Sequence, residues 1–215
     1  MECKSVKGLI FDLDGVLINT DHYHFLAWKK LADRLDIPFS EEDNEKLRGV
    51  SRMESLEIVL SKKSSLHFTE EEKVEFAKEK NECYREYLQQ ITAENVAEEV
   101  RSTLKELKNR GYLLGVGSSS KNAKFILEKS ELTSYFDAIA DGNDILKSKP
   151  DSEVFEKAAH FLGIEAKKCA VIEDAEAGLE AALRAEMLPI AYAGACNSNK
   201  KSICLKQFSD LLKMF

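Results

Sequence analysis

The chain has 215 residues, of which 44% are hydrophobic and 32% charged, a composition typical of a soluble globular protein. Its formal net charge of −7 is a poor match for nucleic acid, and no block of Lys or Arg offsets it. The sequence carries no signal-peptide pattern, and no apolar run is long enough to span a bilayer. We therefore expect neither a nucleic acid nor a membrane as partner.

The cysteines are odd in number and scattered, and no two of them form a C-x-x-C pair. They are Cys3, Cys83, Cys169, Cys196 and Cys204. This pattern favours reduced thiols in a cytoplasmic protein over a disulfide framework or a zinc site.

The first predicted element is a buried strand over Gly8–Phe11, a short apolar run bounded by a turn. Two carboxylates, Asp12 and Asp14, follow it, and Gly15 lets the backbone turn sharply behind them. Ligands of open α/β sheets bind beyond the carboxyl ends of strands. Two acids there can hold a divalent cation, or one can attack an electrophile while the other moves protons. The alternative interpretation is a strand that simply ends in an Asp-Gly turn.

The segment from about residue 18 to 90 predicts helices only. An apolar stripe at helical spacing marks the first helix, which Pro38 ends: Trp28, Leu31, Ala32 and Leu35. Residues 40–47 predict a short acidic helix. Capping-box spacing then precedes two further helices, at Ser51 with Glu54 and at Thr69 with Glu72. The segment is highly charged and contains no predicted strand, so it is a candidate separate helical module.

From Ala93 onward, helices and strands alternate. Strands are predicted at 112–116, 136–140, 169–172 and 188–192, and the first helix of this part at 94–110. Alternation of this kind predicts a parallel sheet with right-handed crossovers. The chain therefore reads as one strand, a helical insert and the remainder of a doubly wound α/β domain.

The strand ends carry the polar groups of a phosphoryl-transfer site. Together they present Asp12, Asp14, Ser118, Ser119, Lys121, Lys149, Glu173 and Asp174. Several carboxylates at one sheet edge repel one another unless a cation neutralises them, and hard oxygen ligands suit Mg²⁺. Hydroxyl groups at a helix N-terminus beside a lysine suit a phosphoryl group.

Each group also has a purely structural interpretation. The serines of 118–120 and Asp174 could cap helices, and Lys149 could be a solvated surface lysine. His24 is more often a helix-face histidine, and Trp28 is more often a core residue. Their occurrence together at neighbouring strand ends favours the functional interpretation.

These residues resemble the motifs of haloacid dehalogenase (HAD)-type phosphotransferases. The matching features are D-L-D-G-V at 12–16, Ser118 at a strand end, Lys149 before Pro150, and Glu173-Asp174 with Gly178. Four segments further resemble the hexose-phosphate mutases of that superfamily: 20–29, 48–56, 118–122 and 135–141. The similarity runs to about Tyr192.

The resemblance implies a Rossmann-like HAD core, 1–17 and 93–215, with an all-helical cap domain inserted at 18–92. Linkers near 16–20 and 88–95 would form the hinge of a lid that closes over the site and excludes water.

The resemblance also implies the catalytic roles. Asp12 would be the nucleophile that becomes an aspartyl phosphate, and Asp14 the general acid/base. Ser118 and Lys149 would hold the transferring phosphoryl group. The Mg²⁺ site would comprise Asp12, Asp14, Glu173 and Asp174.

The implied substrate site spans cap and core, and Arg52 of the G-V-S-R turn would grip a distal phosphate. Its cap residues are Thr20, His24, Trp28, Arg48, Gly49, Val50, Ser51, Arg52 and Ser55. Its core residues are Ser119, Ser120, Lys121 and Asn122.

The implied reaction converts β-D-glucose 1-phosphate into glucose 6-phosphate, with β-D-glucose 1,6-bisphosphate as intermediate and activator. One alternative is a sugar-phosphate phosphatase that sends the same aspartyl phosphate to water. Another is a non-catalytic sugar-phosphate-binding module, against which the intact pair Asp12 and Asp14 argues. We expect a cytoplasmic monomer that acts on a sugar phosphate.

Overall fold

A six-stranded parallel sheet forms the centre of the larger part of the molecule. The computed structural model describes residues 5–63 and 67–215. The strands are β1 (Gly8–Phe11), β2 (Leu113–Gly117), β3 (Ala138–Ala140), β4 (Cys169–Glu173), β5 (Leu188–Ala191) and β6 (Ile203–Cys204). They lie side by side in the order β3-β2-β1-β4-β5-β6, and every pair is parallel. The carboxyl ends of the strands therefore meet at one edge, as predicted.

Helices cover both faces of this sheet. They are α5 (Glu98–Asn109), α6 (Ala123–Lys129), α7 (Glu153–Leu162), α8 (Glu176–Arg184) and α9 (Leu211–Met214). In β1, Leu9 and Phe11 pack into the core shared with α5 and α6, whereas Ile10 packs into the opposite core shared with α7 and α8. A strand buried on both faces reads as a continuous apolar run, which is why Gly8–Phe11 stood out in the sequence.

Between β1 and α5 lies a helical segment with a core of its own. Its helices are α1 (Asp21–Arg34), α2 (Glu41–Glu45), α3 (Arg52–Ser61) and α4 (Glu70–Leu88). The buried indole of Trp28 packs in a cluster with residues of α3 and α4, such as Leu56 and Ala77. The two predicted capping boxes are confirmed at Ser51 and Thr69. We call residues 18–92 the helical insert.

The predicted helix 94–110 is wrong at its start. Residues 93–95 form a short 3-10 turn, Val96 is extended, and α5 begins only at Glu98. The side chain of Asn95 accepts a hydrogen bond from the Thr92 backbone N–H at 2.8 Å, which favours a turn over a continuing helix. Val96 is thereby buried, at 5% exposure, in the core beside the sheet.

The prediction of reduced cysteines is wrong for one pair. Cys196 and Cys204 form a disulfide because β6 returns beside β5 and brings the two Cα atoms to 5.2 Å. Cys83 and Cys169 are free and buried, and Cys3 lies outside the described residues. The cysteines thus give no argument for a reducing compartment.

In the described residues, every helix is too short or too polar to span a bilayer.

Candidate active site

A buried carboxylate cluster lies at the carboxyl edge of the sheet. Asp12 follows β1, Glu173 ends β4, and Asp174 follows it, each less than 8% exposed. One oxygen from each lies within 4.8 Å of the others. Burial, together with neighbouring carboxylates, raises the pKa of Asp174 to about 9, although the Arg48 guanidinium opposes the shift. Ionising all three carboxyl groups together is therefore unfavourable unless a further cation neutralises them.

Lys149 is the buried cation of this cluster. Its Nζ forms a close ion pair with Asp12 and lies 2.8 Å from Glu173 Oε1. Burial lowers the pKa of Lys149, but the two carboxylates outweigh it, so the net shift is upward. With 2% exposure this side chain is no solvated surface lysine, and that structural alternative is wrong.

Glu173 is held at both of its carboxylate oxygens. Oε1 accepts from Lys149, and Oε2 accepts from the backbone N–H groups of Asp174 and Ala175 at 2.7 and 3.1 Å. Gly178 makes room for this carboxylate, because a Cβ there would lie 1.7 Å from Oε1. The N-cap residue of α8 is Ala175 rather than Asp174, so the capping interpretation of Asp174 is wrong.

Asp14 points away from the cluster toward the helical insert. Its Oδ1 accepts a close hydrogen bond from Thr20 Oγ1, which itself accepts from the Tyr84 hydroxyl at 3.1 Å. Burial raises the pKa of Asp14 to about 6, despite the hydrogen bond from Thr20. A carboxyl group with that pKa can both donate and accept a proton near neutral pH.

The loop after β2 supplies the polar groups on the core side. Ser118 Oγ accepts from the Ser120 backbone N–H at 3.1 Å, and Ser120 Oγ accepts from that of Asn122 at 3.2 Å. The serines thus shape the loop, while Asn122 is the N-cap residue of α6 and makes no side-chain cap bond. Asn122 also donates to Asn81 of α4 at 2.9 Å, which joins core and insert.

Cationic and aromatic side chains form the insert side. Lys80 Nζ lies 2.9 Å from His24 Nδ1 and 4.7 and 4.5 Å from the ring centroids of Trp28 and Tyr84. Burial, reinforced by the Arg52 charge, lowers the pKa of Lys80 to about 7. Burial and the same two cations also hold the pKa of His24 well below its usual value.

The sequence analysis missed Lys80, Asn81 and Tyr84. A signal was present, because Ala77, Lys80 and Tyr84 share the buried face of α4. A lysine at a core position of an amphipathic helix is uncommon unless it has a partner or a function.

These groups enclose a cavity of about 540 Å³ between the sheet edge and the helical insert. It is lined by nearly all of the predicted site residues: Asp12, Asp14, His24, Trp28, Arg48, Gly49, Val50, Ser51, Arg52, Ser55, Ser118, Ser119, Ser120, Lys121, Asn122, Lys149, Glu173 and Asp174. Thr20 is the exception, since it is fully buried behind Asp14. Trp28 combines both interpretations, because the indole packs in the insert core and also borders the cavity.

Comparison with known proteins places the chain in a family. The model of the haloacid dehalogenase-like hydrolases matches residues 9–192. A β-phosphoglucomutase from Bacillus subtilis (strain 168) is 39% identical over 207 residues, which cover 96% of this chain and 92% of that protein. A crystal structure of a β-phosphoglucomutase from Clostridium difficile matches with a TM-score of 0.89 and 37% identity, covering 96% of this chain and 93% of that one. A phosphorylated carbohydrates phosphatase from Thermotoga maritima is 29% identical over 82% of this chain and 80% of its own length. This chain belongs to the haloacid dehalogenase-like hydrolase family.

Proposed function

We propose that this protein is a Mg²⁺-dependent β-phosphoglucomutase. The observation that carries the proposal is a single cavity with cationic groups at both ends: Lys149 beside Asp12 on the core side, and Arg52 with Lys80 on the insert side. A mutase must hold a sugar that carries two phosphates, whereas a phosphatase for a monophosphate needs one such grip. Identities of 39% and 37% to two β-phosphoglucomutases support the same conclusion.

The chemistry begins with in-line attack by an Asp12 oxygen on a phosphorus of β-glucose 1,6-bisphosphate. A bond forms from Asp12 to phosphorus while the bond from phosphorus to the sugar oxygen breaks, and Asp14 donates its proton to that leaving oxygen. When the phosphoryl group comes from C1, glucose 6-phosphate leaves, and an incoming β-glucose 1-phosphate then presents its 6-hydroxyl group to the aspartyl phosphate. Asp14 accepts the hydroxyl proton as the phosphoryl group moves from Asp12 to the sugar. Lys149 and Ser118 hold the phosphoryl oxygens in both directions.

The donor set fits Mg²⁺, because it is made of carboxylate oxygens only, and a bound cation would favour the ionised form of these crowded carboxyl groups. We expect Asp12 and Asp174 to hold the ion, with the backbone carbonyl of Asp14 facing it. Glu173, whose oxygens are already bonded to Lys149 and to backbone N–H groups, would position the site rather than contact the ion. When bound, Mg²⁺ supplies positive charge to the transferring phosphoryl group.

We further propose that residues 18–92 act as a cap over a core formed by 1–17 and 93–215. The separate hydrophobic cluster around Trp28 supports this division, as does the position of the cavity between the two parts. Closure over a bound sugar phosphate would exclude water while the phosphoryl group is on Asp12, so that the group passes to the sugar hydroxyl.

The second candidate is a sugar-phosphate phosphatase built on the same core. The 29% identity to the Thermotoga maritima phosphatase supports this second candidate. In that case the aspartyl phosphate on Asp12 reacts with water, and Arg52 has no second phosphate to bind.

The test is product identity. The protein is incubated with β-glucose 1-phosphate, Mg²⁺ and a trace of β-glucose 1,6-bisphosphate, and glucose 6-phosphate and inorganic phosphate are assayed together. We expect glucose 6-phosphate with little free phosphate. Free phosphate without the isomer would assign the phosphatase instead.

A further inference from the structure

Arg48 reaches from the helical insert to the carboxylate cluster. Its Nη1 lies 3.4 Å from Asp174 Oδ2, and its Nη2 forms a close ion pair with Asp21 and lies 3.1 Å from Glu45 Oε1. The side chain is 28% exposed, so water screens these contacts only in part. Among residues 5–63 and 67–215, this is the side chain whose ion pairs join the insert to the cluster.

The two arginines around the G-V-S-R turn have different surroundings. Arg52 lines the insert side of the cavity and interacts electrostatically with His24, Lys80 and Tyr84. Arg48 faces Asp174 at the sheet edge instead. Both arginines line the cavity, but Arg48 has carboxylate partners at the sheet edge that Arg52 does not share.

The positive charge that faces Asp174 comes from Arg48. Lys149 forms ion pairs with Asp12 and Glu173, so it is committed to the other two members of the cluster. Within the part of the chain that the structure describes, the cation that forms an ion pair with Asp174 is the guanidinium of Arg48. A cation that binds Asp174 must therefore compete with Arg48 or share the carboxylate with it.

We propose that Arg48 is a positioning residue that weakens Mg²⁺ binding at Asp174 and links metal loading to the position of the cap. This inference rests on the metal site proposed above. By thermodynamic linkage, Mg²⁺ must weaken the contact between Arg48 and Asp174 by the same factor as that contact weakens Mg²⁺ binding. Metal loading then frees the insert from the sheet edge before the sugar phosphate enters.

The test is calorimetric titration of Mg²⁺ into the protein without substrate, comparing wild type with Arg48→Gln, Arg48→Lys and Lys46→Gln. We expect Arg48→Gln to bind Mg²⁺ about threefold to tenfold more tightly than wild type. Arg48→Lys, which keeps the charge but not the fork, should lie between the two. Lys46→Gln is the matched control: it removes a charge two residues away that pairs with Asp43 at 3.8 Å, and it should match wild type.

A second readout is amide hydrogen exchange over residues 45–52. Mg²⁺ should increase exchange there in wild type and leave Arg48→Gln unchanged. Equal or weaker Mg²⁺ binding by Arg48→Gln, or no effect of Mg²⁺ on exchange in wild type, would overturn the inference while leaving the metal site standing. Should wild type bind no Mg²⁺ at all, the proposed metal site would fail, and the inference with it.

Discussion

Glu173 and Asp174 are adjacent carboxylates with opposite surroundings. Oε1 of Glu173 accepts from Lys149 and Oε2 accepts from backbone N–H groups, whereas Asp174 forms an ion pair with Arg48 of the insert. The sequence predicts that Glu173 and Asp174 both belong to the site, but it cannot distinguish their contacts, because the two residues are adjacent in one motif. The contacts support the proposal that Glu173 holds Lys149 in place while Asp174 contacts the metal ion.

This difference predicts a larger loss of stability on substitution of Glu173 than of Asp174 in the absence of metal. Glu173→Gln should lower the free energy of unfolding by about 2–3 kcal/mol, since buried Lys149 loses a charged partner. Asp174→Asn should change it by less than about 1 kcal/mol or raise it, because the raised pKa of Asp174 marks a carboxylate that is costly to ionise there. Urea denaturation at pH 7 with chelator measures both. A larger loss for Asp174→Asn than for Glu173→Gln would contradict the assignment.

The low pKa of Lys80 predicts that its substitution raises the free energy of unfolding by an amount that depends on pH. Its pKa is about 7 in the folded protein, below the usual 10.5, so the unfolded chain binds more protons between those values and wild-type stability rises with pH there. Lys80→Met should therefore raise the free energy of unfolding by about 1–3 kcal/mol at pH 6 and by less at pH 9. Chemical denaturation at the two pH values tests this. A gain that is larger at pH 9 would show that the ammonium is not penalised by burial.

At the scale of elements, apolar runs in the sequence were sufficient to predict most strands of the sheet. Runs such as those of β1 and β4 are buried on both faces and leave a clear pattern. The edge strand β6 was missed because it has two residues, both exposed. The disulfide partner of Cys196 could not be inferred, since it depends on how that edge folds back.

Helix α8 depends on Gly178 for its approach to β4. A Cβ at this position would lie 1.7 Å from Glu173 Oε1, so Gly178→Ala must displace the carboxylate that holds Lys149. We expect a loss of about 2–3 kcal/mol in the free energy of unfolding and impaired turnover. Gly194→Ala is the control, because its nearest atom is at 3.4 Å. Thermal and urea unfolding of both variants test the point, and equal stability of the two would argue against this packing role.

At the scale of the molecule, the cavity lies between the sheet edge and the helical insert, and polar contacts join the two around it. Arg48 reaches Asp174 on one side, and Asn81 accepts from Asn122 on the other. The resemblance of the sequence to a capped hydrolase predicted which residues would line the cavity. It could not predict that Thr20 lies behind Asp14, because that depends on how the insert is seated.

A cavity with cationic groups at both ends predicts that substitution of Arg52 weakens binding of the bisphosphate but not of Mg²⁺. Arg52→Ala should weaken binding of β-glucose 1,6-bisphosphate by about 10- to 100-fold, since a charge-assisted contact to the distal phosphate is removed. Binding of Mg²⁺ to the free protein should stay as in wild type, because Arg52 faces His24 and Lys80 rather than the carboxylates. Calorimetry with each ligand measures both. Unchanged affinity for the bisphosphate would remove Arg52 from the phosphate grip.

The central claim is that Asp12 passes its phosphoryl group to a sugar rather than to water. The direct measurement is a pulse with labelled β-glucose 1,6-bisphosphate and Mg²⁺, a chase with unlabelled β-glucose 1-phosphate, and an acid quench. We predict label on the peptide that contains Asp12 during the pulse, transfer of that label to hexose phosphate during the chase, and no labelled peptide in Asp12→Asn. Release of the label mainly as inorganic phosphate, or label on another residue, would contradict the account.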